Sequence, residues 1–193
     1  MSMHKYEPSD EQFKDFCFEL IRDKVQAIGP SIAGSVYALS FYVDDESSEE
    51  GGLTLTVGYN TVEQVERSTP TNSGKQVWPT ASDADEAKWN YAFWLQNALS
   101  VIGQQGTESA AQESTFLANI LPGYDAKQSF VNIFVRISWQ LHKTGIIERQ
   151  FGRAIPVVVH ELNYFDQIAH QTSAANPNGI ADEFVEWVFG LGR

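Results

Sequence analysis

The stretch Thr144–Gln171 reads TGIIERQFGRAIPVVVHELNYFDQIAHQ, and its punctuation organises the rest of the chain. Gly145 and Gly152 are turn signals, and the β-branched run after them ends in a polar segment rich in ionisable and aromatic side chains. Pro156 falls near the start of that run, where a strand loses only one backbone donor. The reading is a core strand over 155–160 that delivers His160, Glu161, Tyr164, Asp166 and His170 to one end of the molecule. A site for a ligand or partner is expected there.

Working outward, Asp125 followed by Gln128 signals a helix start, and Phe130, Ile133, Phe134, Ile137 and Leu141 recur at three- and four-residue spacing. Lys143 suits a helix C-terminus and Gly145 a stop, which predicts a central helix over 126–143. On the other side, the turn signal Asn176-Pro177-Asn178-Gly179 precedes a helix over 179–189, with Phe184, Val185, Val188 and Phe189 inward.

In the first half, Ser9 and Gln12 form a capping box, followed by Phe13, Phe16, Cys17, Leu20, Ile21, Val25 and Ile28 at helical spacing. Gly29-Pro30 ends this helix of 10–28. Ser35–Val43 and the alternating Leu53–Val57 read as strands, and the polar loop between them favours an antiparallel hairpin. Asn60 with Glu63 marks the cap of a short helix over 61–67. Residues 68–81 read as a loop anchored by Trp78. Over 83–97 the acidic start and the Trp89, Phe93 spacing favour a helix, although Trp89, Tyr91, Phe93 and Leu95 also alternate as in a strand. Thr107 caps a further helix reaching about Leu121. The sum is one α+β domain over 1–193, an antiparallel or mixed sheet packed against several helices.

Composition narrows the function classes. The chain has 193 residues, 42% of them apolar, enough for a packed core without staples. Its formal charge of −12 opposes nucleic acid and anionic membrane surfaces and draws in a basic protein partner. Cys17 is the only cysteine, so neither an internal disulfide nor a thiolate metal cluster forms, and its place on an apolar stripe predicts burial. The N-terminal stretch has no apolar signal region and no run is long enough to cross a bilayer, so the expectation is a cytoplasmic chain, with its oligomeric state left open.

No motif names a reaction. His160-Glu161 invites comparison with zinc proteases, but the position four residues on is Tyr164 and His160 ends a strand. Asp166 and His170 stand four apart and can pair on a helix. Asp44, Asp45, Glu46, Glu49 and Glu50 crowd one loop without a calcium-loop register, which leaves a solvated tip or a contact loop for a basic partner. Trp89, Tyr91, Phe93 and Trp94 read as core or as the wall of a groove. Gly103 to Gly106 lacks the Lys-Ser/Thr of a phosphate loop. No catalytic residue, metal or cofactor is called for.

Val36–Asp45 (VYALSFYVDD), Lys88-Trp89-Asn90-Tyr91, Gly152–Glu161 (GRAIPVVVHE) and Ala175-Asn176-Pro177 together resemble the domain of unknown function 4303 family, a group of mostly bacterial proteins. The resemblance spans nearly the whole chain and implies an α+β domain with no established activity and no catalytic residues to carry over. Some families of this size sit beside bacterial toxins as immunity proteins. The first expectation is therefore a non-catalytic, immunity-like interaction protein with an acidic contact surface. The alternative is a small-ligand binder or enzyme built on His160, Glu161, Tyr164, Asp166 and His170.

Overall fold

The computed structural model describes residues 8–45, 52–70, 80–120 and 125–191. Trp78 and the acidic residues Glu46, Glu49 and Glu50 lie outside them. Strands β1 (Val36–Asp44), β2 (Thr54–Thr61), β3 (Ser100–Ile102) and β4 (Val157–His160) form a mixed sheet in the order β3-β2-β1-β4. The hairpin β1/β2 is antiparallel, with Phe41 opposite Val57, whereas β4 runs parallel to β1, with Tyr42 beside His160. The crossover between them carries α3 (Val62–Ser68), α4 (Ala84–Trp89), α5 (Glu108–Ala118), α6 (Ala126–Lys143) and α7 (Ile146–Phe151), with α1 (Pro8–Gln26) and α2 (Pro30–Ala33) before the sheet and α8 (Asp166–Ala175) and α9 (Asp182–Gly190) after it. This is an α+β fold.

Strand alternation sends side chains to two unlike faces. Leu39, Phe41, Val43, Leu55, Val57, Val157 and Val159 join the main core with the apolar stripes of α1 and α6. Phe13 stacks on Phe116 at 4.9 Å, and Phe134 meets Phe130 and Phe41 edge-on. The other face puts Ala38 and Val158 against Trp89, Trp94, Ile168, Phe184 and Val188.

The strand at 155–160 is shorter than its sequence pattern and is not interior. β4 starts at Val157 and lies at the sheet edge, yet all four of its residues are buried. An open edge exposes unpaired backbone groups, and α8 covers it with side chains. Asn176 acts as a mock strand: its Oδ1 accepts from the Val157 N–H at 2.8 Å and its Nδ2 donates to the Val157 carbonyl at 2.8 Å. Thr172 accepts from the Val159 N–H and donates to the same residue's carbonyl. Asn97 repeats the device on β2, accepting from Tyr59 N–H at 3.0 Å and donating to the Tyr59 carbonyl at 2.9 Å. Gly58 permits this approach, because a Cβ there would stand 2.7 Å from the Asn97 carbonyl oxygen.

Several local expectations need correction. The helix over 83–97 stops at Trp89: Asn90 adopts an extended conformation and its side chain caps a 3-10 turn over 91–93, which lets both Trp89 and Trp94 turn inward. Strand β3 was not expected, and it forms because the β2 edge is there to pair with. The segment between Gly145 and Gly152 is a helix, enclosed by these two left-handed glycines at φ 68° and 70°. Thr61, not Asn60, caps α3, accepting from the Gln64 N–H, while Asn60 is buried and bonded to Tyr37. Helix α1 begins at Pro8, ahead of Ser9, and α9 begins at Asp182 rather than 179. The caps Asp125 and Thr107 stand where their sequence signals put them.

Candidate functional site

The carboxyl ends of the parallel neighbours β1 and β4 meet the first turns of α6 and α8. Lys127, in the first turn of α6, donates to Glu161 at 2.6 Å and pairs with Asp45 at 2.9 Å, tying the ends of both strands together. A cation at a helix N-terminus is disfavoured by the dipole, so it needs carboxylates in return. Burial opposes the Lys127 charge, but its bonds to Glu161 and Asp45 outweigh that and hold its pKa above the ordinary value. Gln167 donates to Gln128 and joins the two helix starts.

His160 ends β4 with its ring buried completely. Its Nδ1 lies 3.2 Å from the Glu161 carbonyl, which only accepts, so Nδ1 carries the proton. Nε2 is then free to accept from the Ser40 hydroxyl at 2.8 Å. Tyr91 lies over the ring at 4.7 Å between centroids and Tyr164 stacks on it at 5.9 Å, with Tyr42 and Trp94 closing the remaining sides. Burial lowers the imidazole pKa to about 4, the Glu161 carbonyl pulling weakly the other way. The ring is therefore neutral at physiological pH. Burial also pushes the Tyr164 phenol up, and its hydroxyl accepts from the Tyr91 N–H at 3.0 Å.

A serine donating to a neutral histidine is the start of a nucleophile–base pair. Here both partners are sealed, with Ser40 1% and His160 0% exposed, so the pair joins β1 to β4 rather than meeting solvent. Of the residues expected at this end, the structure brings His160 and Tyr164 together and turns Glu161 toward Lys127. Asp166 and His170 are exposed on α8, and no ion pair joins them among the described residues; the His170 ring packs edge-on against Phe189 instead. Trp89 and Trp94 are buried, with Tyr91 and Phe93 half-buried around them, so this aromatic run is core. Among the described residues no group of three or more His, Cys, Asp or Glu is placed to hold a metal ion.

No family model, curated protein or solved structure matches this chain.

The feature that sequence reasoning passed over is apolar. Leu162 is 67% exposed and Phe165 is 46% exposed, both on the short connection between β4 and α8. Among the described residues, Asp44 and Asp45 at the end of β1, Glu161 after β4, Asp125 at the cap of α6 and Asp166 at the start of α8 belong to the same end, and Lys127 pairs with Asp45 and Glu161. The signal was available: two large apolar residues stand among Glu161, Asn163 and Asp166, in a segment whose polarity marks it as a surface turn. Lys127 was legible too, as a cation where a helix dipole disfavours one.

Proposed function

We propose that this chain is a non-catalytic interaction protein that binds a basic protein partner through the end formed by the β4–α8 connection. The supporting observation is the pairing of Leu162 and Phe165, both solvent-exposed, with a surround of carboxylates. Interface energy concentrates in a few apolar anchors, while charge at the rim sets approach and partner choice. Among the described residues, five carboxylates against the ammonium of Lys127 at this end favour a cationic partner, in keeping with the net charge of −12. One chain capping one basic partner is also what an immunity role requires. A catalytic reading gains no support here, because His160 is enclosed by four aromatic rings.

The test is a parallel capture from the native lysate on immobilised wild type, on the double variant Leu162→Ser/Phe165→Ser, and on Ile32→Ser, an exposed apolar residue of α2 before the start of β1, as a surface control. A salt-sensitive partner is expected on wild type and control and should be missing from the double variant. Equal capture by all three, or none at low salt, would overturn the proposal.

A further inference from the structure

Helix α6 has 18 residues, so it spans about 27 Å, and its far end carries a surface of opposite character. Lys14 of α1 and Arg136, Trp139 and Lys143 of α6 line an open groove of about 750 Å³, floored by Val135 and by Ala174 of α8. Three of the chain's thirteen lysines and arginines thus stand in one groove; among the described residues its lining includes no carboxylate, and Glu11 and Asp15 reach Lys14 and Arg136 from the rim. Trp139 is 46% exposed and offers a broad aromatic face at its centre. Lys143 is exposed and makes no ion pair among the described residues.

The nearby ion pairs indicate what these cations accept. Glu11 bridges Lys14 and Arg136, taking the Lys14 ammonium at 2.7 Å, and Asp15 adds a second carboxylate to Lys14 at 3.0 Å. Hydrogen bonds from Lys14 and Arg136 hold the Glu11 carboxyl below its ordinary pKa. Carboxylates therefore already dock on this rim from within the chain, while the Lys143 side remains open to one from outside.

We infer that the groove around Trp139 docks an acidic peptide segment of a partner protein, a carboxylate meeting Lys143 while an aromatic or aliphatic side chain lies on the indole. The charge balance selects this occupant over nucleic acid. With Lys14 and Arg136 already met by Glu11 and Asp15, Lys143 is the cation left to recruit a carboxylate, whereas a polyanion would meet the repulsion of the whole acidic surface. An aromatic platform beside cations also rewards an apolar side chain in the same segment. This inference rests on the far end of α6 and does not depend on the β4–α8 proposal.

The experiment titrates the full chain into three rhodamine-labelled probes and reads anisotropy: a short peptide of glutamate and phenylalanine, a matched peptide of lysine and phenylalanine, and a short DNA duplex. Saturable binding of the acidic peptide that weakens with salt is expected, with neither other probe bound through this groove. Trp139→Ala and Lys143→Glu should each weaken the acidic peptide roughly tenfold or more, and Leu162→Ser/Phe165→Ser should leave it unchanged. Both groove substitutions are on the surface, and an unchanged unfolding midpoint establishes that each variant is folded. No saturable binding, equal binding by the groove variants, or a preference for DNA would overturn the inference. So would self-association by sedimentation that Trp139→Ala abolishes, since the occupant would then be a second copy.

Discussion

The two faces of the sheet are held by different physics. The face carrying Leu39, Phe41, Val57, Val157 and Val159 meets α1 and α6 with side chains that make no directional bonds. The opposite face is aromatic and polar: Ser40 bonds to His160, Asn60 to Tyr37, Trp94 to the Lys88 carbonyl and Tyr164 to the Tyr91 backbone. Burial of apolar area on the first face drives folding without caring much about angle. Bonds on the second face contribute less each, yet a lost partner leaves a buried polar group unpaired. The apolar face supplies stability, and the polar face sets how β4 is seated and where its following loop emerges.

The comparison is broken most severely from the apolar side. Phe134→Ala removes a fully buried ring that touches Phe13, Phe41 and Phe130, and a loss of about 3–5 kcal/mol is expected in chemical denaturation. Smaller but more specific is Asn176→Ala, which orphans the Val157 N–H and carbonyl together and leaves His142 without its bond at 3.0 Å. About 2–3 kcal/mol should be lost, with hydrogen exchange accelerated at Val157 more than in β1. Uniform acceleration across the sheet would mean that Asn176 does not act as an edge partner. The smallest stability effect belongs to Leu162→Ser/Phe165→Ser, expected within about 0.5 kcal/mol of wild type. A loss of several times that would make the pair part of the core and remove it from any interface.

Legibility in the sequence followed the same division. The apolar stripes of α1 and α6 and the alternation of Leu53, Leu55 and Val57 repeat a period, so periodicity found them. Caps such as Thr107 and Asp125 act within three residues and were equally readable. Asn97 and Asn176 were not, because an asparagine that stands in for a strand is defined only by a strand far away in sequence; Asn176 read as part of a turn. Helix α7 escaped because six residues between two glycines carry too short a pattern. At the candidate site, His160 was placed correctly at the end of β4, but its burial depends on Tyr42, Tyr91 and Trp94, which sequence proximity does not connect to it. Asp166 and His170 had the spacing of a pair without the tertiary reason to form one.

Acid should expose the polar face selectively. His160 has its pKa depressed in the fold from an ordinary 6.5 to about 4, so the unfolded chain binds this proton first. Its contribution is complete above pH 6.5 and is lost as pH falls toward 4, an effect of about 3 kcal/mol at full extent. His142, also lowered by burial, acts in the same direction, while Glu113, raised by burial, acts in the opposite one. The His160→Gln variant should show a shallower decline of stability across that window.

The most direct measurement is the titration of the His160 ring by NMR, assigned through its loss in His160→Gln. An imidazole sealed between β1 and the aromatic rings should stay neutral, with the proton on Nδ1, until pH approaches about 4. A midpoint near 6.5, with the ring taking up protons freely from solvent, would contradict the sealed strand end and reopen His160 to chemistry.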